Sequence, residues 1–419
     1  MVISALPSLD HAQTVLRKAA LVAAFVGLSA SATANVVTDW DAKAVALAGP
    51  GAPAERDIAI MHLAIFDAVN SIDRRYRPYL FQLETAGPTS EDAAAASAAA
   101  TVLAAQHQDA ADPINASLKD YLGGIADGEA KTNGIKLGAA TAEKLLQARA
   151  QDGANAPDSF RPRTKPGVYV PTASVIGSAW PKVTPFALKS AAQFRPPPPV
   201  ALKSQVWASD YNEIKTIGNK NSSERTPQQT ETARFWLMTG PRAYHPLARE
   251  LVLARQLDVV DSARAMALYA VALTDAYIAV FDAKYHYEFW RPITAIRNGD
   301  IDGNPATALD ATWQPIDNTP MHPEYPCAHC IESGAAVAIL ESLRGSGDMP
   351  ELSLTSPTAP GVTHRWTNLD SFATEVSNAR IWAGFHYRFS TRVGTEMGRK
   401  IGKYVADNTM QRLEIVGAK

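Results

Sequence analysis

Helical periodicity dominates this 419-residue chain, and the strict alternation that is typical of β-strands is scarce. Between Arg56 and Ile72, for example, Ile58, Ile65 and Val69 recur at helical intervals. Similar patterns, separated by short loops with Pro or Gly, cover 91–108, 135–150, 204–218, 226–237 and 245–283. Because no βαβ rhythm accompanies them, the sequence predicts an all-α protein.

The chain is predicted to divide into three regions after residue 34. A helical bundle at 35–150 is followed by a Pro-rich connecting segment at 151–200 and a second helical bundle at 201–419. The connecting segment ends in four consecutive prolines, which cannot lie inside a helix, so we expect an extended connection over the surface. A site that binds proline-recognition modules is the alternative. His62 is predicted to be a packed core residue rather than a metal ligand.

The first 34 residues have the pattern of a secretory signal peptide. Arg17 and Lys18 precede an apolar run at 19–30, and Ala32-Thr33-Ala34 supplies the small residues of a cleavage site. We therefore expect a periplasmic or secreted protein. An amphipathic N-terminus without a targeting role is the alternative.

The overall charge argues against nucleic-acid and acidic-membrane partners. The formal net charge of -2 creates no strong field that would attract either. The most apolar later stretch, 266–281, contains Asp275 and is too short for a membrane span, so it is predicted to be a buried core helix. We expect no nucleic-acid partner and no membrane insertion, and the sequence leaves the oligomeric state open.

The first of three basic clusters in the last third of the chain contains Lys284 and Arg291. They are seven residues apart, so a regular helix would project both from one face. Pro292 places Arg291 near a helix end or a kink. An ammonium beside a planar guanidinium suits an oxyanion with several oxygens. The alternative is a solvated basic face paired with Asp282 or Glu288.

The second cluster, at 326–329, is predicted to open a helix. Pro326 ends the preceding loop, so the backbone N–H groups of 327–330 would point out of the first turn, where the helix dipole favours an anion. His329 beside that anion could exchange a proton. A surface helix cap with an incidental histidine is the alternative.

The third cluster contains Arg380 and His386, whose spacing of six does not place them on one face of a regular helix. Gly384 between them would let backbone or ligand approach closely. A neutral imidazole at His386 could act as a nucleophile or bind a metal centre. The alternative is a structural histidine that packs beside Trp382 and Phe385.

Cys327 and Cys330 are the only cysteines of the chain. Export favours a local disulfide between them. A zinc site would need further ligands, which His322, His329 and His386 could supply, but no second C-x-x-C or H-x-x-x-H motif accompanies the pair. A redox protein of the thioredoxin type would need a βαβ context, which the sequence lacks.

Taken in order, the three clusters resemble the signature shared by vanadium-dependent haloperoxidases and the type 2 phosphatidic acid phosphatase superfamily. The first block, Glu288-Phe-Trp-Arg-Pro292, is similar to its haloperoxidase form. The resemblance covers much of the chain after the signal peptide. It implies an all-α fold of two packed helical bundles of the vanadium haloperoxidase type, in agreement with the periodicity.

The resemblance implies an oxyanion site for vanadate or phosphate. Lys284, Arg291 and Arg380 would hold the oxygens of the anion, together with the positions of Cys327 and Ala328. The family usually has Pro-Ser-Gly-His in this second block, so a thiol and a methyl group stand where a hydroxyl and a glycine are usual. A thiol is a weak donor that peroxide oxidises, and pairing with Cys330 would protect it.

Two histidines would carry the chemistry under the same resemblance. His329 would be the acid/base group, and His386 the apical vanadium ligand or the phosphohistidine nucleophile. The leading function is a haloperoxidase-like enzyme that binds vanadate and uses hydrogen peroxide to oxidise halide. The alternative is a metal-free acid phosphatase that hydrolyses a phosphate ester at the same site. A scaffold that binds oxyanions without catalysis is a third reading.

Overall fold

The computed structural model of the protein describes residues 35–85 and 87–414, so the predicted signal peptide lies outside the described residues. Within these ranges the fold consists of thirteen α-helices and one two-stranded sheet. The helices of the first half are α1 (Val36–Leu47), α2 (Ala52–Ile72), α3 (Glu91–Gln106), α4 (Ala111–Gly123), α5 (Glu129–Arg149), α6 (Gln205–Ile217) and α7 (Pro227–Phe235). Those of the second half are α8 (Pro241–Ala254), α9 (Val259–Tyr287), α10 (Pro292–Arg297), α11 (Ala328–Arg344), α12 (Leu369–Trp382) and α13 (Arg388–Asn408). The all-α prediction is confirmed.

Side-chain caps set where several helices begin. Ser90 accepts a hydrogen bond from the backbone of Ala93 at the start of α3, and Ser204 accepts one from Trp207 at the start of α6. Asp258 caps α9 in the same way. That cap explains why the periodic stretch 245–283 is two helices and not one, since α8 has already ended at Ala254.

Helix α9 forms the centre of the core. By length and composition it could span a membrane, but 94% of its most apolar 18-residue stretch is buried inside the protein. The prediction of a core helix at 266–281 is therefore confirmed. Asp275 within it accepts hydrogen bonds from the backbone amides of Phe186, Ala187 and Leu188 at 2.7–2.8 Å. The buried carboxylate thereby holds the connecting segment against the core.

One hydrophobic core runs through both predicted bundles. Buried residues of α1–α3 and of α8, α9, α11, α12 and α13 belong to the same cluster. Close packing of α11 against α13 depends on Gly398, because a Cβ there would lie 2.0 Å from the carbonyl oxygen of Ile331. The connecting segment at 151–200 contains no α-helix, only a short 3-10 turn at Trp180–Lys182.

A β-hairpin interrupts the helical pattern after α11. Strands β1 (Leu352–Ser356) and β2 (Ala359–Trp366) pair antiparallel, with Leu352 opposite Trp366. The backbone and hydroxyl of Ser353 both donate to Glu250 of α8, which fixes the hairpin to the bundle. The sequence reasoning missed this hairpin because its polar positions are as numerous as its apolar ones.

Candidate functional site

A cavity of about 1150 Å³ is lined by residues of the second and third predicted clusters. The turn before α2, the connecting segment and the loop at 314–322 form its walls. Four of the residues singled out from the sequence, Ala328, His329, Arg380 and His386, line it directly. Arg291 reaches the same point from behind, with Nη1 3.2 Å from Nε2 of His386.

Lys284 and Arg291 come together, although not as neighbours on one helix face. Helix α9 ends at Tyr287, the next residue Glu288 has a left-handed φ of 48°, and Arg291 precedes α10 in an extended conformation. The expectation of a single helix face is therefore wrong, whereas the expected helix end at Arg291 is observed. Pro292 takes the first position of α10, so the chain turns there, and the side chains of Lys284 and Arg291 meet at the segment 322–324, whose backbone carbonyls bind both.

Neither cation belongs to a solvated basic face. Both side chains are fully buried, and the two acids considered as partners bind elsewhere: Asp282 pairs with Arg195, and Glu288 with Arg163. The ammonium of Lys284 donates instead to the carbonyl oxygens of Pro323 and Glu324, at 3.0 and 2.8 Å. Backbone carbonyls thus orient the charge without neutralising it.

The two arginines are held in the same manner. Arg291 donates from Nε to the carbonyl oxygen of His322 at 2.9 Å and from Nη1 to that of Phe385 at 3.0 Å. Arg380 donates from Nη1 to the carbonyl oxygen of Trp236 at 2.5 Å, and its buried Nε has no hydrogen-bond partner among the described residues. Donors therefore remain for another acceptor.

The three buried cations give the site an excess of positive charge. Burial, with the nearby charge of Arg291, lowers the pKa of Lys284 well below its usual value. Burial lowers the pKa of Arg291 to about 10 and that of Arg380 to about 9. The carboxylate of Glu324 opposes this effect at Lys284 and Arg291. An anion bound among the three would relieve the remaining repulsion.

Gly384 turns the chain after α12 so that His386 faces the cavity. It has a φ of +81°, and a Cβ there would lie 2.5 Å from the carbonyl oxygen of Gly218. The expected close approach at Gly384 is therefore observed. The backbone amide of Phe385 then donates to the carbonyl oxygen of Arg380 at 3.1 Å, which places the arginine and the histidine side by side.

The imidazole of His386 has one nitrogen engaged and one directed at the cations. Burial and the charge of Arg291 lower its pKa well below the usual value, so the ring is neutral. We assign the proton to Nδ1, which lies 2.8 Å from Oε1 of Glu324. Nε2 then carries a lone pair and accepts from Nη1 of Arg291 at 3.2 Å. A neutral nitrogen whose lone pair points into the cationic pocket suits a metal ligand or a nucleophile once it exchanges this hydrogen bond for a ligand.

His329 lies in the first turn of α11, at the cavity wall. Its Nε2 is 2.9 Å from the carbonyl oxygen of Met238, to which it donates. Burial and the charge of Arg380 lower the pKa of His329 well below the usual value. The neutral ring leaves Nδ1 as the nitrogen that can exchange a proton with a ligand.

The start of α11 offers fewer free amides than the sequence predicted. The N–H of Cys327 donates to the carbonyl oxygen of Ser390, and that of Cys330 to Sγ of Cys327, both at 3.3 Å. Of the predicted group of four, the amides of Ala328 and His329 remain without an acceptor among residues 35–85 and 87–414. Cys327 and Cys330 are joined as a disulfide, with a Cα–Cα distance of 5.3 Å, so neither offers a thiolate to zinc.

Sequence reasoning missed Glu324 altogether and considered His322 only as a zinc ligand. Both are buried beside Arg291, whose Nη2 lies 3.0 Å from Nδ1 of His322. Burial, with the charges of Lys284 and Arg291, keeps His322 neutral by lowering its pKa well below the usual value. The available signal was the segment His322-Pro-Glu324, which directly precedes the second cluster.

Asp41, His62 and His245 form a second group of metal-ligand type on α1, α2 and α8. Their ligand atoms lie within 4.8 Å of one another. Oδ1 of Asp41 accepts from Nε2 of His62 at 2.8 Å and from Nδ1 of His245 at 2.7 Å. The expected core position of His62 is observed, since it is fully buried. Such a group could hold a cation, but its carboxylate would repel vanadate.

Fold and cavity together define an all-α protein with a buried cationic pocket that ends in a neutral histidine. Residues 264–414 match the family model described as the VCPO second helical-bundle domain. The vanadium chloroperoxidase of Curvularia inaequalis is 32% identical in an alignment of 141 residues that covers 27% of this chain and 22% of that protein. The matched segment thus spans about a fifth of the length of this curated relative.

Two solved structures extend the likeness to the whole fold. A bacterial vanadium-dependent iodoperoxidase aligns with a TM-score of 0.74 at 23% identity, covering 91% of this chain and 96% of its own. A holo-type bacterial vanadium-dependent chloroperoxidase aligns with a TM-score of 0.67 at 16% identity, covering 84% and 90%. The predicted resemblance to the vanadium haloperoxidases, and with it the fold type, is confirmed.

Proposed function

We propose that this protein is a haloperoxidase-like enzyme that binds vanadate and uses hydrogen peroxide to oxidise halide. The observation that carries the proposal is the set of three buried cations around a neutral histidine, His386, whose other nitrogen is held by Glu324. The relation to vanadium haloperoxidases supports an enzyme of this superfamily.

The residues present fit vanadate, an oxyanion with several oxygens. Lys284, Arg291 and Arg380 would hold its oxygens, and the unpartnered Nε of Arg380 is a donor still in need of an acceptor. Nε2 of His386 would be the protein's ligand to the metal. Bound vanadate would supply a Lewis-acid centre that activates hydrogen peroxide toward halide.

The protein's own groups then have distinct tasks. The buried cations neutralise the anion from positions where each charge acts strongly, because the side chains that carry them are themselves buried. His329, neutral and bonded through Nε2, would take a proton on Nδ1 from incoming peroxide and return it later. Glu324 keeps the proton of His386 on Nδ1, away from the ligand nitrogen.

A metal-free phosphatase is the second candidate, and the pairing of His386 with Glu324 favours it as well. An imidazole that is oriented by a carboxylate is suited to attack phosphorus, because the carboxylate stabilises the positive charge that develops on the ring. The three cations would hold the phosphate oxygens, and His329 would protonate the leaving group. Vanadate would then inhibit, because it resembles the phosphoryl transition state.

Parallel assays separate these functions. Apoprotein would be incubated with orthovanadate and tested for peroxide-driven bromide and iodide oxidation, and tested without vanadate for phosphate-ester hydrolysis. Vanadate-dependent halide oxidation supports the first proposal, and vanadate-inhibited hydrolysis supports the second. His386→Ala should abolish whichever activity appears, whereas His364→Ala, in the hairpin, should not. Activity that survives His386→Ala contradicts both.

We also propose that the protein is exported, on the signal-like pattern of the first 34 residues. The disulfide between Cys327 and Cys330 supports an oxidising compartment. N-terminal sequencing of the protein from its native host tests this. A mature chain that begins at Asn35 supports export, and one that retains Arg17 and Lys18 contradicts it.

A further inference from the structure

The 236–238 segment, which follows α7 and precedes α8, holds two of the proposed site residues through its backbone. The carbonyl oxygen of Trp236 accepts from Nη1 of Arg380 at 2.5 Å, and that of Met238 accepts from Nε2 of His329 at 2.9 Å. In the described part of the chain, neither side chain has another hydrogen-bond acceptor. The position of this segment therefore determines where one of the cations and the acid/base group lie.

Glu375 of α12 binds the side chain of Trp236. Its Oε1 accepts from the indole N–H at 2.9 Å. The tryptophan is fully buried, and a buried N–H without an acceptor is costly, so this bond restricts where the indole can lie. Glu375 precedes Arg380 by five residues on the same helix. Helix α12 thus holds Trp236 at two points, its indole through Glu375 and its carbonyl oxygen through Arg380.

Three neighbouring rings pack around the indole of Trp236. Their centroids lie 5.4 Å away for Phe235, 6.1 Å for Trp366 and 5.7 Å for Phe372. Close packing of this kind lets a side chain move only together with its neighbours. The bond to Glu375 therefore fixes the backbone of the 236–238 segment as well as the indole.

The β-hairpin is joined to the same carboxylate. Nε1 of Trp366 donates to Oε2 of Glu375 at 3.1 Å, and Nδ1 of His364 lies 2.6 Å from Oε1. Ser356 donates from Oγ to the carbonyl oxygen of Phe235, the last residue of α7, at 2.7 Å. The hairpin thereby supports the 236–238 segment from outside the cavity, since residues 352–366 do not line it.

We propose that Glu375 is a positioning residue for the oxyanion site. The inference rests on the proposed function, in which Arg380 holds an oxygen of vanadate and His329 exchanges a proton with peroxide. Glu375 does not line the cavity and acts through Trp236. By fixing the 236–238 segment, it directs Nη1 of Arg380 to one carbonyl oxygen and Nε2 of His329 to the other. The remaining donors of the guanidinium and Nδ1 of the imidazole are then left for the ligand.

Trp236→Phe and Trp366→Phe form a matched pair of variants. Each removes a buried indole that donates to Glu375, but only Trp236 belongs to the segment that holds the site residues. Trp236→Phe should weaken orthovanadate affinity about tenfold or more and lower kcat for halide oxidation about tenfold at saturating orthovanadate. Trp366→Phe should lower the Tm by a similar amount and leave both values as in the wild type. Equal losses of affinity and kcat in the two variants overturn the proposal.

Glu375→Met tests the carboxylate itself. Methionine is a good helix former without a strong acceptor, and the position is partly exposed, so the variant should fold. It should reproduce the losses of Trp236→Phe. The double variant should lose no more than either single variant, because both remove the same hydrogen bond. Wild-type values in Glu375→Met, or losses that add in the double variant, overturn the proposal.

NMR of protein with ¹⁵N-labelled histidine tests the positioning without requiring any activity. The Nε2–H resonance of His329 can be assigned by its absence in His329→Gln. It should shift or disappear in Glu375→Met and stay at its wild-type position in Trp366→Phe, because only the first variant releases the 236–238 segment. An unchanged resonance in Glu375→Met, or an equal shift in Trp366→Phe, overturns the proposal. A wild type that neither binds orthovanadate nor oxidises halide contradicts the proposed function instead, and the NMR result still decides whether Glu375 positions His329.

Discussion

His386 donates its Nδ1 proton to Oε1 of Glu324 across 2.8 Å, and the same oxygen accepts the backbone N–H of Tyr387 at 3.1 Å. These two bonds fix the plane of the imidazole and leave Nε2 as the nitrogen at the cationic pocket. Glu324 is itself fully buried, and its own backbone carbonyl oxygen accepts a hydrogen bond from Lys284. One residue thus orients both the proposed ligand and one of the cations.

Replacing Glu324 with glutamine should weaken orthovanadate binding. The amide keeps the shape of the side chain but removes the charge that holds the proton on Nδ1 of His386. A carboxylate that orients a metal-binding histidine in this way contributes about 10–100-fold to metal affinity. Calorimetric titration of the apoprotein measures the change. Glu224→Gln, at an exposed position, should bind as wild type, and equal affinity in the two variants would contradict the role of Glu324.

Orthovanadate binding should also depend on the ionisation of Glu324. Burial raises the pKa of Glu324 to about 7, against the opposing charges of Lys284 and Arg291. Above that pH the carboxylate accepts from Nδ1, whereas below it the acid donates to Nδ1 and the ring proton moves to Nε2. Affinity should therefore fall as the pH drops through about 7, relative to Glu324→Gln, which has no such ionisation. The same pH dependence of orthovanadate affinity in the wild type and in Glu324→Gln would rule this out.

An oxyanion should stabilise the folded protein. The lowered pKa values of Lys284, Arg291 and Arg380 mean that their charges are costly in the free site, and a bound anion removes that cost. At a hundredfold excess over Kd, orthovanadate should add about 2.7 kcal/mol to the free energy of unfolding. Thermal melts should show a higher Tm in the wild type and in Arg234→Gln, an exposed control, but not in Arg380→Gln. A retained shift in Arg380→Gln speaks against the site.

Gly384→Ala should unfold the turn that presents His386. Gly384 and Gly361 share a φ of +81°, but a Cβ at Gly361 meets nothing within 4 Å, whereas at Gly384 it meets the carbonyl oxygen of Gly218 at 2.5 Å and Pro315 at 2.9 Å. Gly361→Ala should cost about 1 kcal/mol from backbone strain alone. Gly384→Ala should cost about 2–3 kcal/mol more and also lose orthovanadate binding. Chemical denaturation measures the free energy of unfolding of both variants. An equal loss in Gly361→Ala and Gly384→Ala would show that the close approach at Gly384 is unimportant.

The cysteine pair should resist peroxide. Alkylation of the denatured, unreduced protein should label no thiol, and reduction beforehand should expose two. Peroxide should then oxidise Cys327 only in the reduced protein, because a disulfide has no thiolate to attack. Mass spectrometry of the peptide that contains both residues reads out each state. Two alkylated thiols without reduction would contradict the pairing.

The helical fold could be predicted from the sequence because the periodicity of α2, α3 and α9 is strong and uninterrupted. The helix boundaries were harder to predict. A single helix was expected at 245–283, yet Asp258 starts a new one, because a local side-chain cap competes with the periodic pattern. The hairpin at 352–366 was missed because its two strands are short and only some of their residues are buried. The alternation of apolar and polar residues that indicates a strand is therefore weak there.

The cations and histidines of the site could be named from their spacing, but their connections could not. Lys284 and Arg291 meet through a helix break at Glu288, which a regular helix does not anticipate. Glu324 lies 62 positions from His386 in the chain, and Asp41 lies 204 positions from His245. Contacts of that kind depend on tertiary packing, so residue patterns do not specify them.

The most direct test of the oxyanion site is a crystal structure of the protein grown with orthovanadate. We predict one vanadium per chain, bound to Nε2 of His386, with Lys284, Arg291 and Arg380 around its oxygens. Vanadium bound instead at Asp41, His62 and His245, or a cationic cavity that remains without an anion at saturating orthovanadate, would contradict the assignment.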